Sequence, residues 1–175
     1  LILDVATGTG DLAIEALKLN PERVTGIDIS EGMLSKGRVK LQNAGITNIE
    51  LIKGDSEKIA YGDNTFDAVT VAFGVRNFEN LTEGLKEMNR VMRPGGKIAI
   101  LEFSKPTVFP VKQFYNFYFK RILPTMGNKL SKSKNAYTYL PESVGAFPDG
   151  KEFLNIMTSS GYKNCSQRRF MFGIC

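Results

Sequence analysis

Residues 1–11 read LILDVATGTGD. A short apolar run ends in an acid, two glycines flank a threonine, and a helix begins. These are the parts of a buried parallel strand that turns through a glycine loop into a helix, the arrangement of a nucleotide-binding loop. Gly8 and Gly10 allow backbone conformations closed to other residues and let a ligand approach the chain closely. Asp11 is expected to cap the helix that follows, whose exposed N–H groups face the same ligand. The plain alternative is a pair of glycines that only makes a tight turn, and the residues downstream decide between the two.

The chain after this loop alternates between the two periodicities. Leu12 to Leu19 read as a helix broken by Asn20-Pro21, and Arg23 to Ile29 as a strand with Asp28 near its end. Ser30 suits the N-cap of a second helix carrying Met33, Leu34, Gly37 and Leu41, which Asn43 to Gly45 closes. Ile49 to Lys53 is a third strand, followed directly by Gly54-Asp55-Ser56. Phe66 to Phe73 is a fourth, largely buried strand. Leu81, Leu85, Met88 and Met92 then mark an amphipathic helix, stopped by Arg93-Pro94-Gly95-Gly96, and Lys97 to Glu102 is a fifth strand. Such alternation predicts an α/β fold with a parallel, doubly wound sheet.

Beyond Pro110 the character changes. Phe114, Tyr115, Phe117, Tyr118 and Phe119 crowd a predicted helix running to about Leu123. Its apolar arc is far wider than the roughly 100° stripe of a surface helix, so it has apolar surface to bury on two sides. Residues 127–148 read as a polar loop, and Lys151 to Ser160 as a short helix ended by Gly161. Tyr162 to Arg169 and Phe170 to Ile174 are expected to form a closing antiparallel hairpin.

With 175 residues the chain is expected to be one domain, 1–175. It opens without Met and already inside a strand, which reads as a fragment. No stretch is long and apolar enough to span a bilayer. Twenty-three basic residues against 18 acidic leave a net charge of +5, a mild excess that fits nucleic acid, an anionic membrane or no partner at all. The basic residues are scattered without a stripe or a paired aromatic platform, so no nucleic-acid partner is expected. Cys165 and Cys175 lack paired spacing, which points to a reducing compartment. Histidine is absent, which removes the commonest general base, and no metal site is expected.

Gly8-Thr-Gly10-Asp-Leu-Ala13 fits a dinucleotide fingerprint, with Asp28 as the ribose acid, and equally fits an adenosyl cofactor. Asp4, just before the glycines, suits a positively charged ligand tail and would repel a pyrophosphate. Asp55 follows strand three, where an acid can accept from an adenine amino group. Arg-Pro-Gly-Gly precedes strand five. Together these resemble the Rossmann-like S-adenosylmethionine-dependent methyltransferases. More closely, DVATGTGD (4–11), DIS..ML (28–34), FG.RN (73–77), RPGG (93–96), LEFSKP (101–106) and YTYLPESV.AFP (137–148) resemble the quinone-ring C-methyltransferases of menaquinone and ubiquinone biosynthesis.

That resemblance implies a Rossmann-like α/β fold, a doubly wound, mostly parallel seven-stranded sheet with a terminal antiparallel hairpin, and a substrate-side insertion at about 105–148. The family also carries an N-terminal helical lid that this sequence does not contain. It implies S-adenosyl-L-methionine as cofactor, contacted at Thr9, Asp28, Asp55 and Ser56. Gly8 and Gly10 shape the loop, Met33 neighbours the adenine or ribose, and Asp4 lies toward the charged tail. Ala72 stands where some members, ubiquinone-pathway ones included, carry a serine. The implied reaction is C-methylation of demethylmenaquinol, with the ubiquinone-pathway step as the alternative. A nicotinamide oxidoreductase and a nucleic-acid-binding module are the more distant ones. Arg76 is placed near the substrate to assist ring deprotonation and steady the oxyanion, with Asn77 orienting the ring; Glu102 is the rival base. The aromatic helix and the basic loop after it suit a polyprenylated quinol met at a membrane surface. The expected location is therefore the cytoplasmic, inner face of the membrane, bound peripherally, and a homodimer is compatible with this.

Overall fold

The computed structural model describes residues 1–106, 108–117 and 134–175, the side chains of 116 and 134–138 excepted. The chain divides into two compact units, one of Leu1–Glu102 with Met157–Lys163, the other of Phe103–Ile156 with Asn164–Cys175.

The first unit is built on a parallel sheet of β1 (Ile2–Val5), β2 (Val24–Asp28), β3 (Ile49–Lys53), β4 (Phe66–Ala72) and β5 (Met92–Leu101), in the order β3-β2-β1-β4-β5. The helices are α1 (Asp11–Ala16), α2 (Glu31–Asn43) and α3 (Leu81–Val91), close to the spans that periodicity predicts. The chain steps from β1 outward through β2 and β3, then returns to the other side of β1 for β4 and β5. Right-handed crossovers therefore put α1 and α2 on one face and α3 on the other. On the α1/α2 face, Ile2, Val24, Ile49 and Leu51 pack with Ala13, Ala16, Leu34 and Leu41. Leu3, Val5, Val69 and Val71 alternate to the opposite face and are buried, as are Leu85, Met88 and Val91 of α3.

One row of this sheet decides the shape of the site. Register aligns Leu51, Gly26, Asp4, Thr70 and Ala99 across β3, β2, β1, β4 and β5. Gly26 leaves a gap in the row that the Thr7 side chain and Leu51 fill. A Cβ at Gly26 would stand 2.8 Å from Thr7 Cγ2 and 2.6 Å from Leu51 Cδ2. Thr7 thus folds down beside Asp4 because residue 26 has no side chain.

Four sequence expectations are corrected here. Asp11 does not cap α1: Gly10, at φ 79°, holds the cap position without a side-chain bond, and Asp11 is the first helical residue. Arg93–Gly96 lies within β5 as a bulge between the Phe66–Met92 and Ala68–Lys97 pairs, rather than ahead of the strand. Gly95 there takes φ 82°, and Arg93 pairs with Asp67. This is the N-terminal end of β5, away from the carboxyl edge where ligands bind, so the turn says nothing about the cofactor. The sheet has five strands among the described residues, not seven, and no closing hairpin forms. Asn164, Met171 and Phe172 adopt positive φ, which breaks the extended path, and Phe170 and Cys175 close a tight loop on each other.

The second unit holds α4 (Val111–Phe117), α5 (Lys134–Ala146) and the first residues of α6 (Lys151–Ser159). The fourth correction is α5, where a loop was expected. Pro141 suggests a break, yet Val144 and Phe147 are buried at helical spacing, and Phe147 packs on Phe153 at 5.2 Å. Buried Ser104 donates to the Gly173 carbonyl at 2.8 Å. The Lys105 ammonium donates to the Gly145 carbonyl at 2.7 Å, a cation at the C-terminal end of α5. Two residues of the LEFSKP motif are therefore staples of this unit. The second half of the predicted aromatic helix, 118–123, and the stretch 127–133 lie outside the described residues.

Candidate cofactor site

The strand order reverses between β1 and β4, and the crevice outside their carboxyl ends is where open α/β sheets bind ligands. Two loops meet there. Ala6 leaves β1 at φ 53°, and Gly74 follows β4. A Cβ on Gly74 would lie 2.5 Å from that of Ala6, so the loops approach as closely as they do because residue 74 is glycine.

Beside them is a cavity of about 320 Å³, lined by Ala6, Ile27, Asp28, Ile29, Gly54, Asp55, Ser56, Glu57, Gly74, Asn77, Phe78 and Glu79. That volume suits a small nucleoside ligand. Its lining holds four carboxylate residues and neither lysine nor arginine. In a protein of net charge +5 this is a local inversion of sign. It favours a cation and opposes pyrophosphate or a nucleic-acid backbone.

Asp28 is anchored at the cavity wall. One carboxylate oxygen accepts from the Gly8 N–H and the other from the Ser30 N–H, both at 2.8 Å. The carboxylate thereby ties the glycine loop to the end of β2 and keeps lone pairs available for hydroxyl donors. Gly8 and Gly10 take φ of 58° and 79°, as the loop requires. Met33 leans over the loop, its Cε 3.6 Å from where a Gly8 Cβ would be. Asp55 accepts from the Glu57 N–H at 2.8 Å, which rounds the turn carrying Ser56 into the cavity wall.

Of the residues expected at the cofactor, Asp28, Asp55 and Ser56 line this cavity, whereas Asp4, Gly8, Thr9, Gly10 and Met33 are not in its lining. Thr9 donates its hydroxyl to Asp11 at 2.6 Å and accepts there from Lys40, so the side chain serves the loop's outer side. Asp4 is 1% exposed, beneath the loop rather than on it. It accepts from Thr7 Oγ1 at 2.5 Å and Thr70 Oγ1 at 2.7 Å, and from the Ala13 backbone N–H. The last bond satisfies a first-turn donor of α1, which has no cap of its own. Burial nonetheless dominates and pushes the Asp4 carboxyl up from 3.8 to about 6, with the Asp28 charge adding slightly.

Arg76 and Glu102, the rival candidates for proton chemistry, form one ion pair. Arg76 Nη1 donates to Glu102 Oε1 at 2.7 Å and to the Phe73 carbonyl at 2.6 Å, and the two side chains are only 11% and 6% exposed. Arg76 shares a short 3₁₀ turn, Val75–Asn77, with the cavity-lining Asn77. Sequence reasoning missed Ile29, Glu57, Phe78 and Glu79 in the lining. Ile29 carried a signal: a large apolar residue directly after a strand-ending acid, here 72% exposed. Among the described residues no cluster of three or more His, Cys, Asp or Glu could hold a metal ion.

Comparison with known proteins decides the family. The ubiE/COQ5 methyltransferase family matches residues 1–175. The chain belongs to that family. It is 48% identical to the demethylmenaquinone methyltransferase of Bacteroides fragilis over 99% of this chain and 72% of the relative. It is 46% identical to the ubiquinone/menaquinone biosynthesis C-methyltransferase UbiE of Geobacter sulfurreducens over 99% of this chain and 68% of that one. The chain thus spans about seven-tenths of these relatives' length. Among solved structures, a SAM dependent methyltransferase from Aquifex aeolicus matches with TM-score 0.57 and 31% identity, over 62% of this chain and 58% of that one. A SAM-dependent methyltransferase from Thermotoga maritima, described as a possible histamine N-methyltransferase, matches with TM-score 0.64 over 93% of this chain and 64% of that one. At 18% identity this is a likeness of fold alone.

The buried Asp4 makes a stability prediction. Its folded pKa of about 6 lies above the ordinary 3.8, so its contribution is fully present below pH 3.8 and is lost as pH rises through 6. The change amounts to roughly 3 kcal/mol. Denaturant unfolding of wild type and Asp4→Asn from pH 3.5 to 7 should show wild type losing stability relative to the variant by about that amount. A difference that stays flat across this range contradicts the assignment.

Proposed function

We propose that this member of the family methylates a ring carbon of a demethylmenaquinol-type polyprenylated quinol, within one methyltransferase domain in which residues 105–148 serve the substrate. S-adenosylmethionine is the cofactor. The observation that carries the reading is the cavity at the sheet's switch point, whose charged lining residues are all acidic, which suits an adenosyl sulfonium. On this reading Asp28 takes the ribose hydroxyls, Asp55 and Ser56 the adenine side, and Met33 covers the nucleoside. Asp4 contributes negative charge from below while holding Thr7 and α1 in place.

When bound, the cofactor supplies an electrophilic methyl group, which passes to a nucleophilic ring carbon and leaves a neutral thioether. The protein's own residues prepare that carbon. Asn77, exposed at the cavity wall, orients the quinol ring. Arg76, fixed by Glu102 and the Phe73 carbonyl, steadies the oxygen that becomes negative as the ring hydroxyl loses its proton to water, and the proton displaced from the methylated carbon then restores that hydroxyl. Glu102 sets the guanidinium in place and is the alternative base. Positioning and exclusion of water do the remainder.

The equivalent step on a ubiquinone precursor is the second reading, favoured by the relative whose name covers both pathways. For the acceptor's tail, Phe109, Phe114 and Phe117 are all more than half exposed at and along α4. They suit an isoprenoid chain and reversible, peripheral binding at the inner membrane face. Among the described residues no helix is long and apolar enough to cross a membrane.

In an assay following methylated quinol by mass spectrometry, Arg76→Ala should lower kcat by about 100-fold. Its affinity for S-adenosylhomocysteine should stay unchanged. Arg76→Lys, which keeps a cation beside Glu102, should fold normally and recover part of the rate. Full turnover in Arg76→Ala refutes the role. Vesicles containing anionic lipid should float the protein, and absence of co-flotation refutes the membrane proposal.

A further inference from the structure

Lys40 lies outside the cavity, on α2, yet it is bound to the glycine loop that Asp28 of the cavity wall also holds. Its ammonium donates to the Thr9 carbonyl at 3.0 Å, to Thr9 Oγ1 at 3.0 Å and to Asp11 Oδ1 at 2.9 Å. An ammonium has three hydrogens, and here each has an acceptor. One turn earlier on α2, Gly37 brings bare backbone against the same residue. A Cβ there would stand 2.9 Å from the Thr9 carbonyl oxygen. Helix α2 thus touches Thr9 twice, once by leaving out a side chain and once by extending a cation.

Thr9 sits between two glycines at positive φ. Such a segment has little torsional resistance of its own and holds one shape only if bonded from outside. Asp28 bonds it through the Gly8 N–H on the cavity side. Lys40 bonds it through Thr9 and Asp11 on the outer side. The Lys40–Asp11 ion pair is solvent-exposed and adds little to overall stability, which leaves fixing the loop as the role for the network.

We propose that Lys40 is a positioning residue for the cofactor loop. By tying Thr9 and Asp11 to α2 it holds Gly8–Gly10 in the binding conformation before the cofactor arrives, which lowers the ordering cost of binding. Its effect therefore falls on cofactor affinity and spares the transfer step. This inference rests on the S-adenosylmethionine reading.

The test is calorimetric titration of the full chain with S-adenosylhomocysteine, alongside steady-state kinetics. Lys40→Met keeps the aliphatic stem and removes the donors. It should bind about tenfold more weakly than wild type, with kcat at saturating cofactor within about twofold and KM for the quinol unchanged. Lys40→Arg, which can still reach the Thr9 carbonyl, should recover part of the affinity. The losses in Lys40→Met and Asp11→Asn should not add, since both cut one network. Equal affinity in wild type and Lys40→Met overturns the proposal. So does a loss that raises both KM values together with a fall in melting temperature, or loss of folding in both Lys40 variants, because each marks a general structural support. A wild-type chain that itself fails to bind S-adenosylhomocysteine refutes the cofactor reading instead.

Discussion

A buried carboxylate at the end of β1 holds this site together. Asp4 lies under the glycine loop and accepts from the hydroxyls of Thr7 and Thr70 and from the N–H of Ala13. Those bonds join β4, the loop and the first turn of α1 at one point. Removing a carboxylate from water is unfavourable, and burial outweighs the hydrogen bonds, raising the Asp4 carboxyl to about 6. A cation placed above the loop supplies the missing compensation. Under the proposed function the same group both builds the loop and favours a cationic ligand.

Around that point each close approach depends on an absent side chain. Gly26 makes room for Thr7, Gly74 for Ala6, and Gly37 for the Thr9 carbonyl. Each lies on a different element, so the loop is packed from the sheet, from the β4 turn and from α2 together. Asp28 and Lys40 then fix it by charge-assisted bonds from opposite sides. The loop is determined by its surroundings more than by its own two glycines.

Much of this was legible in the sequence. The five strands and three helices of the first unit follow from runs of period 2 and 3.6, and β3 and the core of β4 fall within a residue or two of the expected bounds. Asp28, Asp55, Ser56 and Asn77 all line the cavity, because residues just after parallel strands share one edge of the sheet. What escaped reading depends on contacts distant in sequence. The direction Asp4 faces is set by its register with Thr70 and Gly26, and the work of Thr9 by Lys40, 31 residues away. Helix α5 was hidden by its polar composition, a local signal outweighed by burial of Val144 and Phe147. The expected hairpin after Tyr162 had strand-like composition but not strand-like torsions.

Under the proposed function, an acidic cleft at the switch point holds an adenosyl cation. Calorimetric titration of the protein with S-adenosylmethionine and with a reduced nicotinamide dinucleotide, at low ionic strength, tests it directly. Binding of one S-adenosylmethionine per chain, with no heat from the dinucleotide, is the predicted result. Dinucleotide binding as tight as that of S-adenosylmethionine would contradict the claim.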